Sequence, residues 1–437
     1  MIAAVLAAVL VAAPSQKIYV NDAKFALDHL ERDCKHLLKA KKVAWGKVSK
    51  QILKDVRKVK DAEGHWVLLA RLVARLRDGH AAVLTTAKTQ KLAWSGPKLE
   101  RSPGLSLCFG PKRKKLYVKR VWGPAEKAGV KAGWEVVKVD GAPAAKWLKR
   151  RRAELADLFC LATDHHADYF TCHWGLGGPS GSRLSLDLRN PDTKKTKKAT
   201  LGRTSKGLAP SGPVVFPAGL KAVGRNTYAK LPSGFGYMHL RDVPGDLPDQ
   251  IDKALAALGD VPGLILDFRA NGGGGADHAA AFGRFVPAGK TINFSGKASY
   301  ASAGARQYAG PIVCIVDAGV RSAGETMSGT FKEDGRAYMI GPSPTAGMSG
   351  AKKTLELPSG LFKLYYVVRS HKGRFNGGKG VEGLGVAPHE TVGYDPAELR
   401  KGVDTQIRRA EELLRSGFPK NTVPYKPGRY GFKAKKQ

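Results

Sequence analysis

The run Ile312-Val313-Cys314-Ile315-Val316, followed by Asp317-Ala318-Gly319-Val320 and then Arg321-Ser322-Ala323-Gly324-Glu325, is the part of this 437-residue chain that decides its fold. Five consecutive apolar residues, mostly β-branched and bounded by a turn, read as a short strand buried on both faces. The segment after Ser322 reads as a helix, so the serine stands at a strand-to-helix junction. N–H groups at a helix start lack intrahelical acceptors, and negative charge developing on a substrate oxygen is stabilised there. A serine in this place serves either as an N-cap or as a nucleophile, and its partners decide which.

Working upstream, Gly234 to Leu240 reads as a strand, Gln250 to Leu258 as a helix, and Gly263 to Phe268 as a second buried strand. Strands alternating with helical periodicity predict an α/β sheet. The second strand runs into Arg269-Ala270-Asn271-Gly272-Gly273-Gly274-Gly275, where missing side chains let backbone N–H groups face a ligand. The run lacks the lysine and Ser/Thr of a P-loop and the glycine spacing of a dinucleotide site, so phosphate binding is the weaker use for it.

Nearer the N-terminus, Asn21 to Leu84 is helical in pattern: Leu27, Leu30, Cys34 and Leu37 share one face, and Trp66, Leu69, Val73 and Leu76 another. This region ends in Arg77-Asp78-Gly79-His80, a turn that leaves a histidine just beyond a helix. Met1 to Ala13 is aliphatic and breaks at Pro14-Ser15-Gln16, which reads as a signal peptide over residues 1–15 with cleavage after Ser15. No later apolar run reaches membrane length, so the expected location is exported: periplasmic, cell-surface or extracellular.

The chain has 73 Lys+Arg against 37 Asp+Glu, a net charge of +36. These charges are spread over every segment without an interleaved aromatic motif. They predict a solvated basic surface that attracts anionic surfaces, and no specific nucleic-acid site. Five cysteines are too few and too scattered for a disulfide framework. Cys160 with Cys172 is the one plausible local bridge. Cys160, His165, His166, Cys172 and His173 match no zinc spacing, and Leu155, Leu158, Phe159 and Leu161 suggest a helix burying a cysteine.

Between these regions lie Leu116 to Val121, then Gly123-Pro124-Ala125-Glu126-Lys127-Ala128-Gly129-Val130-Lys131-Ala132-Gly133, Val136 to Val139 and Asp140-Gly141. This succession resembles the PDZ domain of bacterial proteases. Gly104-Leu105-Ser106-Leu107 stands where that family places its carboxylate-binding loop, and Trp134 stands where aspartate is usual. The order Asp267 to Gly274, Ser322-Ala323-Gly324-Glu325, Thr345-Ala346-Gly347, then Val381-Glu382-Gly383-Leu384-Gly385-Val386-Ala387-Pro388 resembles the tail-specific and tricorn-type serine peptidases. Asp78-Gly79-His80, Leu357-Pro358-Ser359-Gly360 and Gly402-Val403-Asp404 fit the same order.

The resemblance implies an α/β fold with a crotonase/Clp-protease-like spiral core, an N-terminal helical region and an inserted β-rich PDZ-like domain. The corresponding division is a signal peptide (1–15), helical region (16–94), PDZ-like domain (95–205), catalytic core (206–417) and basic tail (418–437). It implies a serine endopeptidase and no cofactor or metal. One branch of the family takes a lysine base from just after the Thr345-Ala346-Gly347 position, where this chain has Met348, which accepts no proton. The tricorn-like branch uses a histidine and a glutamate, matched by His80 and Glu382. Gly79 replaces a serine of the archetype, so their link runs through water or another hydroxyl. Lys352 and Lys353 are the alternative bases.

Chemistry accounts for these residue types. A serine hydroxyl needs a base within hydrogen-bond reach, and a histidine of unperturbed pKa about 6.5 can take the proton and later return it to the leaving amine. Glu382 would orient the imidazole and stabilise its charged form. The N–H groups of Gly273, or of Gly274, and of Ala323 would form the oxyanion hole. The implied partners are polypeptide substrates engaged through their C-termini, with an anionic surface and self-association as further allowed states. The competing function is a non-catalytic ligand- or polyanion-binding protein on the same fold.

Overall fold

A computed structural model describes residues 16–96, 98–294, 298–370 and 374–419; the signal-peptide segment 1–15 and residues 420–437 of the tail lie outside the described residues. Helices α1 (Gln16–Ala40), α2 (Trp45–Asp55) and α3 (Ala62–Ala74) come first, then strand β1 (Ala82–Thr85). Next come β2 (Leu105–Phe109), β3 (Leu116–Val121), α4 (Gly123–Lys127), β4 (Glu135–Val139), β5 (Ala142–Pro143), α5 (Ala144–Ala156), α6 (Asp164–Trp174), β6 (Arg183–Arg189) and β7 (Thr196–Gly202). Then follow β8 (Lys221–Val223), β9 (Asn226–Lys230), β10 (Gly236–His239), α7 (Leu247–Leu258), β11 (Leu264–Asp267), α8 (His278–Gly283), β12 (Thr291–Phe294), β13 (Ala298–Ala301), β14 (Ile312–Ile315) and α9 (Ala323–Glu333). The order closes with β15 (Tyr338–Gly341), β16 (Gly350–Glu356), β17 (Phe362–Ser370), β18 (Glu390–Thr391), α10 (Pro396–Arg400) and α11 (Thr405–Ser416).

The chain forms two compact units. The first runs up to Gly96 and takes in residues 157–160 and 352–369. Its core joins Tyr19, Leu30, Ile52, Leu69 and Leu72 to Phe362 and Tyr366 from β17. The apolar stripe Leu27, Leu30, Cys34 and Leu37 is buried as its helical spacing predicts. Asp61 caps α3 by accepting the Gly64 amide at 2.7 Å. The helical pattern stops short of Leu84, because Ala82–Thr85 is a strand pairing antiparallel with β17, Ala82 opposite Tyr365. Ser359, in the Leu357-Pro358-Ser359-Gly360 motif, donates its amide (3.0 Å) and hydroxyl (2.6 Å) to the buried Asp22 of α1.

The second unit holds a β-rich module and an α/β sheet. In the module the strands run β2-β3-β4-β6-β7, with β5 on β4, over a core of Leu105, Leu107, Val118, Val136, Leu186 and Leu188. The α/β sheet runs β18-β15-β14-β11-β10-β9-β8. From β10 to β18 its strands are parallel, and β10, β11, β14 and β15 are buried at every position, as unbroken apolar runs require. Residues of α7, α8 and α9 pack with Leu264, Leu266, Ile312 and Cys314, whereas Ile407, Ala410 and Leu413 of α11 pack with Ile265, Val313 and Ile315. The turns after β11 and β14 leave the carboxyl ends of adjacent parallel strands, where ligands of open α/β sheets bind.

A buried guanidinium fixes the first of those turns. Arg269 Nε donates to Asp267 at 2.9 Å, and its Nη1 donates to both Asp404 oxygens at 3.0 Å and to Gln406 at 2.9 Å. Asp404 also caps α11 through the Ile407 amide at 3.1 Å. The Gly402-Val403-Asp404 motif thereby anchors the C-terminal helix to the strand end that precedes the glycine run.

Candidate active site

Ser322 stands at the N-cap position of α9, yet its hydroxyl makes no capping hydrogen bond. Its backbone is at φ 55, ψ −127, a region that glycine enters freely and other residues enter at a cost of about 1–3 kcal/mol. A strained serine on a sharp strand-to-helix turn, with its hydroxyl uncommitted, is the geometry of a nucleophile rather than of a cap. Ser322 and Glu325 have the Ser-x-x-Glu spacing of a capping box, and neither side chain is used as one.

The glycine run comes directly against this serine. The Arg321 amide donates to the Asn271 carbonyl at 3.1 Å. Asp317 accepts from the amides of Ala270 at 3.0 Å and Gly319 at 2.9 Å, tying the turn after β11 to the turn after β14. Gly273 is at φ +87, and a Cβ there would lie 2.8 Å from the Ser322 Cβ and 3.3 Å from the Ala323 nitrogen. A side chain at 273 would therefore fill the space in front of the serine.

Among the described residues, the Ala323 and Gly274 N–H groups make no hydrogen bond. The Gly273 N–H, the first choice from sequence, donates to its own neighbour Asn271 Oδ1 at 2.8 Å. In this state the N–H groups of Ala323, next to Ser322, and of Gly274 are open donors, and that of Gly273 is engaged by Asn271.

Sequence reasoning missed the carboxylate beneath the serine. Glu325 is fully buried and accepts from the Thr345 hydroxyl (2.6 Å), the Gly347 amide (2.7 Å) and the Met348 amide (2.8 Å). Burial pushes its carboxyl up to about 8, against the downward pull of those three donors. The Met348 carbonyl in turn accepts the Ser322 amide at 3.2 Å, and the Gly347 carbonyl accepts the Gly383 amide at 2.8 Å. Loop 345–348 thus carries both Ser322 and the turn bearing the buried Glu382, whose charge reinforces the upward shift at Glu325. Met348, at the position of the lysine base in the other branch, packs its side chain with Ala162 and Ala346.

His80 belongs to the first unit, on the turn between α3 and β1. Its amide donates to Asp78 Oδ1 at 2.8 Å, and Asp78 Oδ2 accepts the Val367 amide of β17 at 2.7 Å. The buried Asp78 therefore pins the turn that presents His80. In the same unit Lys353 is engaged by Asp33 at 2.9 Å, and Lys352 is exposed.

The Cys160–Cys172 bridge is not formed, since all five cysteines are free thiols. Cys172 is buried in the core of the β-rich module, whereas Cys160 packs against the core of the first unit. The histidines near them have other partners. His165 Nε2 meets the Thr345 carbonyl at 2.7 Å, His166 Nδ1 accepts the Ala162 amide at 3.3 Å, and His173 Nε2 meets the Leu208 carbonyl at 2.6 Å. The helix expected around Cys160 is broken there, with α5 ending at Ala156 and α6 beginning at Asp164.

Residues 234–392 match the model of peptidase family S41. A carboxyl-terminal-processing protease of Picosynechococcus is 23% identical over 386 residues, covering 85% of this chain and 83% of its own length. Its counterpart in Synechocystis is 24% identical over 326 residues, 72% of this chain and 68% of its own. The structure of mature CPAF complexed with lactacystin shares the fold, with a TM-score of 0.67 at 14% identity over 92% of this chain and 98% of that one. Among the described residues, no helix is long and apolar enough to cross a membrane.

Proposed function

The chain belongs to peptidase family S41 through residues 234–392 and is a serine-type peptidase; from that premise we propose that it is an exported endopeptidase whose nucleophile is Ser322, whose base is His80 and whose orienting acid is Glu382. The observation that carries this reading is the strained Ser322 backbone with its hydroxyl uncommitted, set against Gly273 and the open Ala323 N–H. Ser322 Oγ attacks the scissile carbonyl carbon while its proton passes to the His80 imidazole. The tetrahedral oxyanion is held by Ala323 N–H and by Gly274 or Gly273 N–H. His80 then protonates the departing amine, the C–N bond breaks, and an acyl-serine remains for water to hydrolyse, with the imidazole again taking the proton. Glu382 holds the imidazole tautomer through water or a further hydroxyl, because Gly79 has none to offer.

Polypeptides are the substrates. The names of the cyanobacterial relatives support cleavage near a C-terminus, and the β2-to-β7 module, with its Gly104-Leu105-Ser106-Leu107 loop, is the proposed receptor for that terminus. Residues 1–15 are the proposed export signal. The test is labelling with a fluorophosphonate probe, paired with hydrolysis of peptides carrying free or amidated C-termini. Wild type is expected to label and to prefer free C-termini, and Ser322→Ala and His80→Ala to lose both labelling and cleavage. Labelling that survives His80→Ala and vanishes in Lys352→Ala would overturn the base assignment.

A further inference from the structure

The first turn of α6 is built onto the loop that holds the candidate nucleophile. Thr163, the N-cap of α6, accepts the His166 amide at 3.1 Å and donates its hydroxyl to the Ala346 carbonyl at 3.0 Å. Both capacities of the hydroxyl are used, so serine can replace threonine here and valine cannot. Two residues on, His165 Nε2 lies 2.7 Å from the Thr345 carbonyl, which only accepts, so this nitrogen carries the proton and donates.

Two glycines make these contacts geometrically possible. Gly347 is at φ +81, and a Cβ there would sit 2.6 Å from Thr163 Cγ2. A Cβ on Gly385 would sit 2.2 Å from the Thr345 oxygen and 3.2 Å from His165 Nε2. Ala162, Ala346 and Met348 bury one another beside them. The helix thus grips one side of loop 345–348, and Glu325 and the Ser322 amide take the other.

We propose that Thr163 and His165 are positioning residues for the peptidase reaction: from the β-rich module they fix loop 345–348, and through the Met348 carbonyl they fix the backbone of Ser322. The proposal rests on Ser322 being the nucleophile. His165 lines a cavity with Leu107 and Phe109, whereas Thr163 does not, so the Thr163 variants separate positioning from binding. The effect of both residues is on how well Ser322 and the neighbouring Ala323 N–H are held, and a misplacement on the order of 1 Å in such a site costs about 100-fold in rate. Neither lies among the Leu105, Leu107, Val118 and Cys172 core that holds the module together, so loss of the contacts appears in turnover rather than in recruitment.

The experiment compares Thr163→Val, Thr163→Ser, His165→Phe and His165→Gln in the full chain by three readouts: kcat and KM on a peptide substrate, the rate of fluorophosphonate labelling, and hydrogen exchange at the Ser322 and Met348 amides. Thr163→Val and His165→Phe are expected to lower kcat and labelling rate together, by roughly 10- to 100-fold, with KM within about twofold, and to speed exchange at both amides. Thr163→Ser, which keeps the hydroxyl, and His165→Gln, which keeps an amide donor, are expected to restore most of each loss. Exchange and kcat unchanged in Thr163→Val, or a loss confined to KM, overturns the proposal. Faster exchange in Thr163→Val alongside a wild type that does not label at Ser322 shows instead that the nucleophile assignment has failed while the coupling stands. If His165→Phe does not fold, the Thr163 valine–serine pair decides alone.

Discussion

The amide of Ser322 donates to the carbonyl of Met348 at 3.2 Å, and the amide of Met348 donates to Glu325, three residues beyond the serine, at 2.8 Å. The circuit Ser322–Met348–Glu325 closes through backbone groups and one buried carboxylate. Met348, which the sequence resemblance sets against the lysine of the other branch, therefore contributes its main chain to this circuit, and its side chain serves as packing.

Ser322→Gly is expected to abolish activity and raise stability. Glycine relieves a backbone strain of about 1–3 kcal/mol and adds about 0.5–1 kcal/mol of chain entropy to lose, leaving a gain of about 0.5–2 kcal/mol. Ser322→Ala keeps the strain and is expected to leave the urea midpoint where it was. A glycine variant no more stable than the alanine variant contradicts the strain.

Glu325→Leu removes the acceptor for three buried donors, Thr345 Oγ1, Gly347 N and Met348 N. Each abandoned donor costs about 1–3 kcal/mol, so a total of at least about 3 kcal/mol is expected in urea unfolding, with activity lost alongside. A cost below about 1 kcal/mol would show that loop 345–348 is held by other contacts.

Arg269→Met leaves Asp267 and Asp404 as buried carboxylates without their shared cation. Breaking a buried pair from one side costs about 3–5 kcal/mol. The loss is expected in full for methionine, and Arg269→Lys recovers only part of it because lysine cannot span both carboxylates. Equal stability of the lysine variant and wild type argues against the forked geometry.

Asp334, at the end of α9 with its side chain buried, has its carboxyl pushed up to about 8 by burial, with Arg374 at 3.8 Å pulling the other way. Between its ordinary value of 3.8 and about 8 the folded protein keeps this proton and the unfolded chain has lost it. The contribution is therefore full below the ordinary value and is lost as pH rises through that window. His389, pushed down to about 4 by burial, acts in the opposite sense: its contribution is present above its ordinary 6.5 and is lost as pH falls toward 4. Asp334→Asn is expected to flatten the decline in melting temperature between pH 6.5 and 8 and to leave the acid limb intact. An unchanged alkaline limb contradicts the burial shift.

What could be read from sequence followed the range of each signal. The strands at 236–239, 264–267 and 312–315 announce themselves by short, mainly apolar runs, unbroken only in the last, and Ser322 and the glycine run are adjacent to them in the chain. Strand β1 was hidden because its partner β17 lies far along the sequence, and four residues after a helix carry no period of their own. Glu325 resembled half of a capping box, since the donors that claim it lie 20 to 23 residues later. His165 and its acceptor Thr345 are 180 residues apart, so no spacing rule joins them. The Cys160–Cys172 reading failed for the converse reason: neighbours in sequence pack into different cores.

The bond from the Val367 amide to Asp78 joins residues 289 positions apart. At about 5–20 residues per second of synthesis, roughly 15–60 s separate the emergence of the His80 turn from that of the strand that fixes it. Ser322 is made within that interval. A nascent chain thus carries its serine before the turn bearing the proposed base is anchored, so on that proposal the order of manufacture delays the pairing of nucleophile and base.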